Sequence, residues 1–339
     1  MKKRSIQFTS RKVDYYFDAQ LELVSRLYAS DHVVFVTDEH IYKAHSKKFN
    51  GSQVIVLPAG EIHKHQGTAD FLIGKLIEMG ADRRSVLVGV GGGVVTDITG
   101  YVASVYMRGI RFGFVPTTIL AMVDASIGGK NGIDVGAFKN LVGTINQPSF
   151  LLYDLSLLKS LPKEEWVNGF AEIIKHACIK DAVMLEELET NSLNTYRKDA
   201  ELLSALIMRN ALLKSKVVQK DEFEQADRKL LNFGHTLGHA IENNYSLPHG
   251  HAVSIGMIAA CKISEAITGF SETKRISKLI KKYGLPAEFE FDAEQAITMM
   301  RMDKKKIRST MSYVLLQKSG KGIVKDLPME QLEEMIKHL

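Results

Sequence analysis

The chain has 339 residues, 45% apolar and 24% charged, an ordinary globular composition in a chain too long for one small core, so two domains are expected. The net charge is only +5, and the single dense basic run, Lys304-Lys305-Lys306, has no interleaved aromatic residues, which argues against nucleic acid and suits a small anionic substrate. No apolar run reaches about 18 residues, and no apolar signal core follows the basic start MKKRSIQFTS; Cys178 and Cys261 have no CxxC spacing, so a cytoplasmic protein with buried, reduced thiols and no membrane partner is expected.

Short β-rich runs alternate with helical stretches up to about residue 158. VVFVTD (33–38), QVIVLP (53–58), SVLVGV (85–90) and RFGFVP (111–116) read as buried strands. Ala69 to Met79 carries helical periodicity and stops at Gly80, a suitable C-cap. The alternation predicts an α/β domain with a mostly parallel sheet. Asp38, closing the first run, either caps the next helix or meets a ribose hydroxyl.

Gly89-Val90-Gly91-Gly92-Gly93 follows the third strand run and opens a helix. Such a turn brings backbone N–H groups and a helix N-terminus to a phosphate. Val94 stands at the third glycine position of a strict GxGxxG, so a purely structural turn is the competing reading. A second cluster, VDASIGGKNGIDVGAFKN (123–140), contains Asp124, Lys130, Lys139 and Asn140. Lysines beside glycine turns suit a phosphorylated sugar; a solvated loop is the alternative.

Beyond residue 158 the texture becomes helical. Glu164 to Lys180, Ala200 to Lys220, Arg228 to Asn243 and Ala252 to Ile267 read as helices, and 311–317 with 323–327 as a late hairpin. Domains of 1–158 and 159–339 follow. GFAEIIKHACI sets Glu172, Lys175 and His176 on adjacent turns of a helix with little solvated face, where charges need partners. In DEFEQADRKLLNFGHTLGHAIE, the residues Arg228, Asn232, His235 and His239 fall at i, i+4, i+7 and i+11, one stripe of a single helix. The H-x3-H pair holds one metal ion, or its imidazoles meet a phosphate or carboxylate instead. Glu172 with two imidazoles would make an open zinc site.

These pieces occur in one order with PAGEIHK (58–64), GGGVVTD (91–97), YMRG (106–109), PTT (116–118), DEFE (221–224), HG (249–250) and DKK (303–305). Together they resemble the 3-dehydroquinate synthase family of the sugar phosphate cyclases over nearly the full length. The resemblance implies an α/β NAD-binding domain followed by a mainly helical metal- and substrate-binding domain. It implies Glu172, His235 and His249 as ligands of one Zn2+ or Co2+ ion, with His239 moved to the substrate. Gly92, Gly93, Asp97, Thr117 and Thr118 correspond to NAD-binding positions, helped by Asp38, Glu61, Lys64, Lys130 and Lys139. Asp124, Lys130, Lys175, Glu224, Asn232 and His239 correspond to catalytic positions. Asn140, Lys214 and Arg228 correspond to substrate contacts, with Lys304 or Lys305 on the phosphate. Arg108 is similar to a residue reaching a neighbouring subunit's site, which implies a homodimer.

The implied reaction takes 3-deoxy-D-arabino-heptulosonate 7-phosphate to 3-dehydroquinate and phosphate, in the shikimate pathway. Transient oxidation by NAD makes a ketone, phosphate leaves by β-elimination, the hydride returns, and an aldol step closes the ring. The metal lowers the pKa of the hydroxyl to be oxidised. The chain departs from the family pattern at His251, where HGE is common, and at Val95-Thr96, Met122, GGKNG (128–132) and KNLVGTINQP (139–148). Three other readings compete: a metal-dependent polyol dehydrogenase, a different sugar phosphate cyclase and a non-catalytic relative. The first leaves Lys130, Asn140, Lys214 and Arg228 unexplained. The paired Lys214 and Arg228 favour a carboxylate-bearing substrate over the second, and an intact ligand triad argues against the third.

Overall fold

The computed structural model describes residues 1–29, 32–136, 138–303 and 309–339. It divides into two compact units, Met1–Glu165 with Ala200–Phe223, and Trp166–Asp199 with Glu224–Leu339. Sequence texture sets the boundary at 158 and assigns the Ala200–Lys220 helix to the second half. The structure places that helix in the first unit. Its Ser215 hydroxyl lies 2.8 Å from the Tyr15 hydroxyl, and Gln219 donates to the Gln7 carbonyl at 2.7 Å. Contacts some 200 residues apart leave no trace in local periodicity.

The first unit contains strands β1 (Lys2–Gln7), β2 (Lys12–Phe17), β3 (Val33–Asp38), β4 (Gln53–Leu57), β5 (Val86–Gly91), β6 (Arg111–Pro116), β7 (Lys130–Val135), β8 (Phe138–Ile145) and β9 (Phe150–Leu152). Seven form one sheet in the order β1-β2-β9-β6-β5-β3-β4. Only the β1–β2 pair is antiparallel; the other neighbours run parallel. A parallel sheet is covered on both faces, so its strands are continuous apolar runs. All six residues of β5 are buried, and Val33, Phe35, Val86, Val88, Val90 and Val115 share one core cluster.

The chain leaves β3 for β4 on one side and returns as β5 on the other. This reversal is a topological switch point, where open α/β sheets bind ligands beyond the carboxyl ends of their strands. Thr37 pairs in register with Val90, so Asp38 and the glycine run emerge side by side. The segment expected as a glycine loop over 123–140 is more ordered than its composition suggests. A π-helical turn covers Ala121–Ala125, and β7 pairs antiparallel with β8.

The main helices of the second unit are Lys163–Lys180, which belongs to it from Trp166 on, Ala182–Thr190, His235–Tyr245, His249–Thr268, Thr273–Lys282, Ala293–Asp303 and Met329–Lys337. A hairpin of β10 (Thr310–Lys318) and β11 (Lys321–Pro328) completes it. The single helix expected over 228–243 is broken. Asp227–Asn232 is a 3-10 helix, and the α-helix starts at His235 after Gly234, whose φ is +79°. Arg228 and Asn232 therefore do not share a helical stripe with His235 and His239.

Leu87 is fully buried at the centre of the sheet. We expect Leu87→Ala to lower the unfolding free energy of the first unit by about 2–5 kcal/mol in a denaturant titration. A change below about 0.5 kcal/mol would contradict this placement of the core.

Candidate active site and metal centre

Of the expected cofactor residues, Asp38, Gly92, Gly93, Thr117 and Thr118 lie at the carboxyl edge of β3, β5 and β6. Gly92 precedes the Gly93–Val105 helix as its N-cap, and the Thr117 N–H donates to the Gly91 carbonyl at 2.9 Å. The Thr117 hydroxyl is buried without a hydrogen-bond partner, and Thr118 accepts from the Ala121 N–H at 3.0 Å. Asp38 serves as N-cap of the Glu39–His45 helix, accepting from the Ile41 N–H at 2.9 Å.

One turn into the glycine-loop helix, Asp97 lies 2.5 Å from the Lys64 ammonium, which donates to Asn140 at 2.6 Å and has Glu61 at 3.8 Å. Burial alone would lower the Lys64 pKa, but the charges of Asp97 and Glu61 hold it above its ordinary value. The cofactor-assigned residues Glu61, Lys64 and Asp97 thus meet the substrate-assigned Asn140. In the same unit Lys214 contacts the Asp124 carboxylate at 2.8 Å and its carbonyl at 2.7 Å. Asp124 lies in the π-helical turn, a device common at functional sites. Lys130 and Lys139 are exposed on β7 and β8.

In the second unit the Glu172 carboxylate is fully buried and ion-paired with Lys175, itself 1% exposed. Glu172 Oε1 lies 3.5 Å from His235 Nε2 and 3.3 Å from His249 Nε2. Donors about 2.1 Å from one ion at tetrahedral angles stand about 3.4 Å apart, so this spacing fits a single Zn2+-like ion. The other ring nitrogens are engaged. His235 Nδ1 faces the Phe233 carbonyl at 3.2 Å, and His249 Nδ1 faces Glu242 Oε2 at 3.2 Å. An N–H at each Nδ1 leaves the Nε2 lone pairs turned toward Glu172, the tautomer that a divalent ion requires.

Burial, aided by the Lys175 charge, holds His235 well below the ordinary imidazole pKa. Burial opposes a proton on His249 too, but its bonds to Glu172 and Glu242 raise it to about 9. The three candidate ligands come from three helices that pack through glycines. A Cβ on Gly256 would stand 1.9 Å from the Gly234 carbonyl oxygen, and one on Gly250 2.2 Å from the Asn168 carbonyl oxygen.

Family models for the 3-dehydroquinate synthase N-terminal and C-terminal regions match residues 54–168 and 169–306. The chain belongs to the 3-dehydroquinate synthase family. The 3-dehydroquinate synthase of Thermodesulfovibrio yellowstonii is 42% identical over 276 residues, 79% of this chain and 77% of that one. The Thermoanaerobacter pseudethanolicus 3-dehydroquinate synthase is 37% identical over 336 residues, 95% and 94% of the two chains. Among solved structures, a 2-deoxy-scyllo-inosose synthase complexed with carbaglucose-6-phosphate, NAD+ and Co2+ superposes with a TM-score of 0.86 at 26% identity, covering 99% of this chain and 100% of that one.

Other residues assigned through the 3-dehydroquinate synthase resemblance have definite places. Arg228 is buried in the 3-10 helix, and Asn232 donates to Glu224 Oε1 at 2.7 Å. Arg228 and Lys214 belong to different units. His239 is exposed, its ring 5.0 Å from that of His235, and lies outside the Glu172 group. Within this unit it forms a second group of potential ligands with Glu242 and His249. His251 falls in neither. Arg108 is exposed with φ +65°, in the left-handed region. Lys304 and Lys305 lie outside the described residues.

Sequence reasoning gave Glu242 no role, although it closes the same LNFGHTLGHAIE run; its position three residues after His239 and seven after His235 was the available signal. The packing glycines were also missed. We expect Gly256→Ala to cost about 1–3 kcal/mol through overpacking and to reduce bound metal by mass spectrometry. By contrast Gly74→Ala, where a Cβ meets nothing within 4 Å, should leave the melting temperature unchanged or raised. Equal melting temperatures for the two variants would show that the close approach is not required.

Proposed function

We propose that this chain converts 3-deoxy-D-arabino-heptulosonate 7-phosphate to 3-dehydroquinate and phosphate, using NAD and one Zn2+ or Co2+ ion. The observation that carries the reading is the Glu172–His235–His249 group, with both Nε2 atoms turned on one carboxylate, in a member of this family. When bound, the ion supplies Lewis acidity to a substrate hydroxyl, and NAD accepts and returns a hydride.

The chain's own residues do the rest. Lys175 pairs with the buried Glu172 carboxylate. Lys64, steadied by Asp97, sets a cation beside the glycine loop; Gly92, Gly93, Thr117, Thr118, Asp38, Glu61 and Lys139 complete the proposed NAD set. Lys214, held by Asp124, and Arg228 bind the substrate carboxylate. Asn232, oriented by Glu224, stabilises the departing phosphate with Lys130, His239 and the 304–305 lysines. Asn140 binds substrate beside Lys64. The protein acts in the cytoplasm as a homodimer, with Arg108 reaching the partner's site. Among the described residues no helix is long and apolar enough to cross a membrane.

The direct test is phosphate release from the heptulosonate phosphate with NAD and Zn2+ or Co2+, with glucose 6-phosphate as the alternative substrate. Release from the first and none from the second is expected; release no greater than in a chelated control refutes the reading. His249→Ala should abolish metal binding while His251→Ala keeps one ion per chain; the opposite pattern would reassign the ligand. For Arg228→Ala we expect kcat/KM for the sugar phosphate to fall about 100-fold or more, with NAD affinity unchanged. Parallel losses in both would make Arg228 a structural residue.

A further inference from the structure

We infer that Glu242 is the positioning residue of the metal centre, fixing the ring of His249 so that Nε2 points at the ion. The inference rests on the metal reading above. Glu242 is 6% exposed, on the same helix as His235. Its Oε2 lies 3.2 Å from His249 Nδ1, while the opposite nitrogen of that ring lies 3.3 Å from Glu172. One imidazole thus spans two buried carboxylates, and each nitrogen has one of them.

The division of roles follows from the atoms. A ligating imidazole binds through one nitrogen and donates an N–H from the other. His235 makes that second bond to the Phe233 carbonyl, a backbone group on its own segment. His249 has no such help at the first turn of its helix and takes a side chain from a neighbouring helix instead. A carboxylate acceptor at Nδ1 fixes the tautomer and makes Nε2 a stronger donor. Glu242 also falls within ligand reach of His239 and His249, but that grouping relies on an exposed His239. The first grouping uses every nitrogen of both ligand rings.

The test is Zn2+ affinity of the full-length chain by competition with a chelating dye, for wild type, Glu242→Gln and Glu242→Leu. Gln keeps an acceptor at Nδ1 without the charge; Leu keeps bulk without an acceptor. We expect Leu to weaken Zn2+ binding about 10- to 100-fold, Gln to recover most of that loss, and both to bind one ion at saturation. Nitrogen-15 spectra of the Zn2+-loaded protein should show His249 protonated at Nδ1 in wild type and Gln, with that signal lost or in exchange in Leu. A role in packing alone would leave this signature unmoved.

Wild-type affinity in Glu242→Leu would overturn the inference. Complete loss of stoichiometric Zn2+ in both folded variants would make Glu242 a ligand and overturn it equally. If Leu does not fold by circular dichroism, Glu242→Ala, which also removes the acceptor, decides: unchanged affinity and an unmoved His249 Nδ1 signal refute a positioning role. A wild-type chain that binds no Zn2+ refutes the metal reading itself, and the assignment of Glu242 with it.

Discussion

Holding the Glu172 carboxylate away from water imposes the strongest constraint on the second unit. An ionised carboxylate in an apolar interior needs compensating charge and hydrogen bonds. Lys175 supplies a cation, and the edges of His235 and His249 supply the nitrogens. The divalent ion proposed among the three donors would complete that compensation. Once the carboxylate is fixed, much else follows: the ring orientations, the second bonds to Phe233 and Glu242, and the glycines that let three helix backbones approach.

The first unit answers a different constraint. Its parallel sheet must be covered on both faces, so function is left to the strand ends. The reversal of strand order between β3 and β5 brings Asp38 and the glycine run together. The residues proposed for NAD lie in this unit and those proposed for the metal in the other. Each set is built on regular elements: three strand ends in one, three helices in the other.

Much of this was legible in the sequence, for physical reasons. Buried parallel strands demand continuous apolar runs, so β3 and β6 are marked residue by residue. The composition around Glu172 predicted a helix with little solvated face, and Trp166 to Ile179 are all buried. A helix cap is one of the two readings that the place of Asp38 allows, and it does cap the Glu39–His45 helix. What failed depended on conformation or distance. The polar spacing from Arg228 to His239 continues smoothly through Gly234, although a left-handed residue ends any single helix there. The hairpin of β7 and β8 is largely exposed and glycine-containing, so it lacks the apolar pattern of a core strand. The Ala200–Lys220 helix was bounded correctly, but which unit it joins is set by contacts remote in sequence. His235 and His239 are indistinguishable by spacing; the positions of Glu172 and Phe233 separate them.

The central claim is that one ion is held by two imidazoles and one carboxylate drawn from three helices. X-ray absorption on the Zn2+-loaded protein tests it most directly. The account predicts a first shell of nitrogen and oxygen near about 2.0–2.1 Å, with multiple-scattering features of two imidazoles and no sulfur. A shell with one imidazole, with three, or with a sulfur scatterer would contradict it.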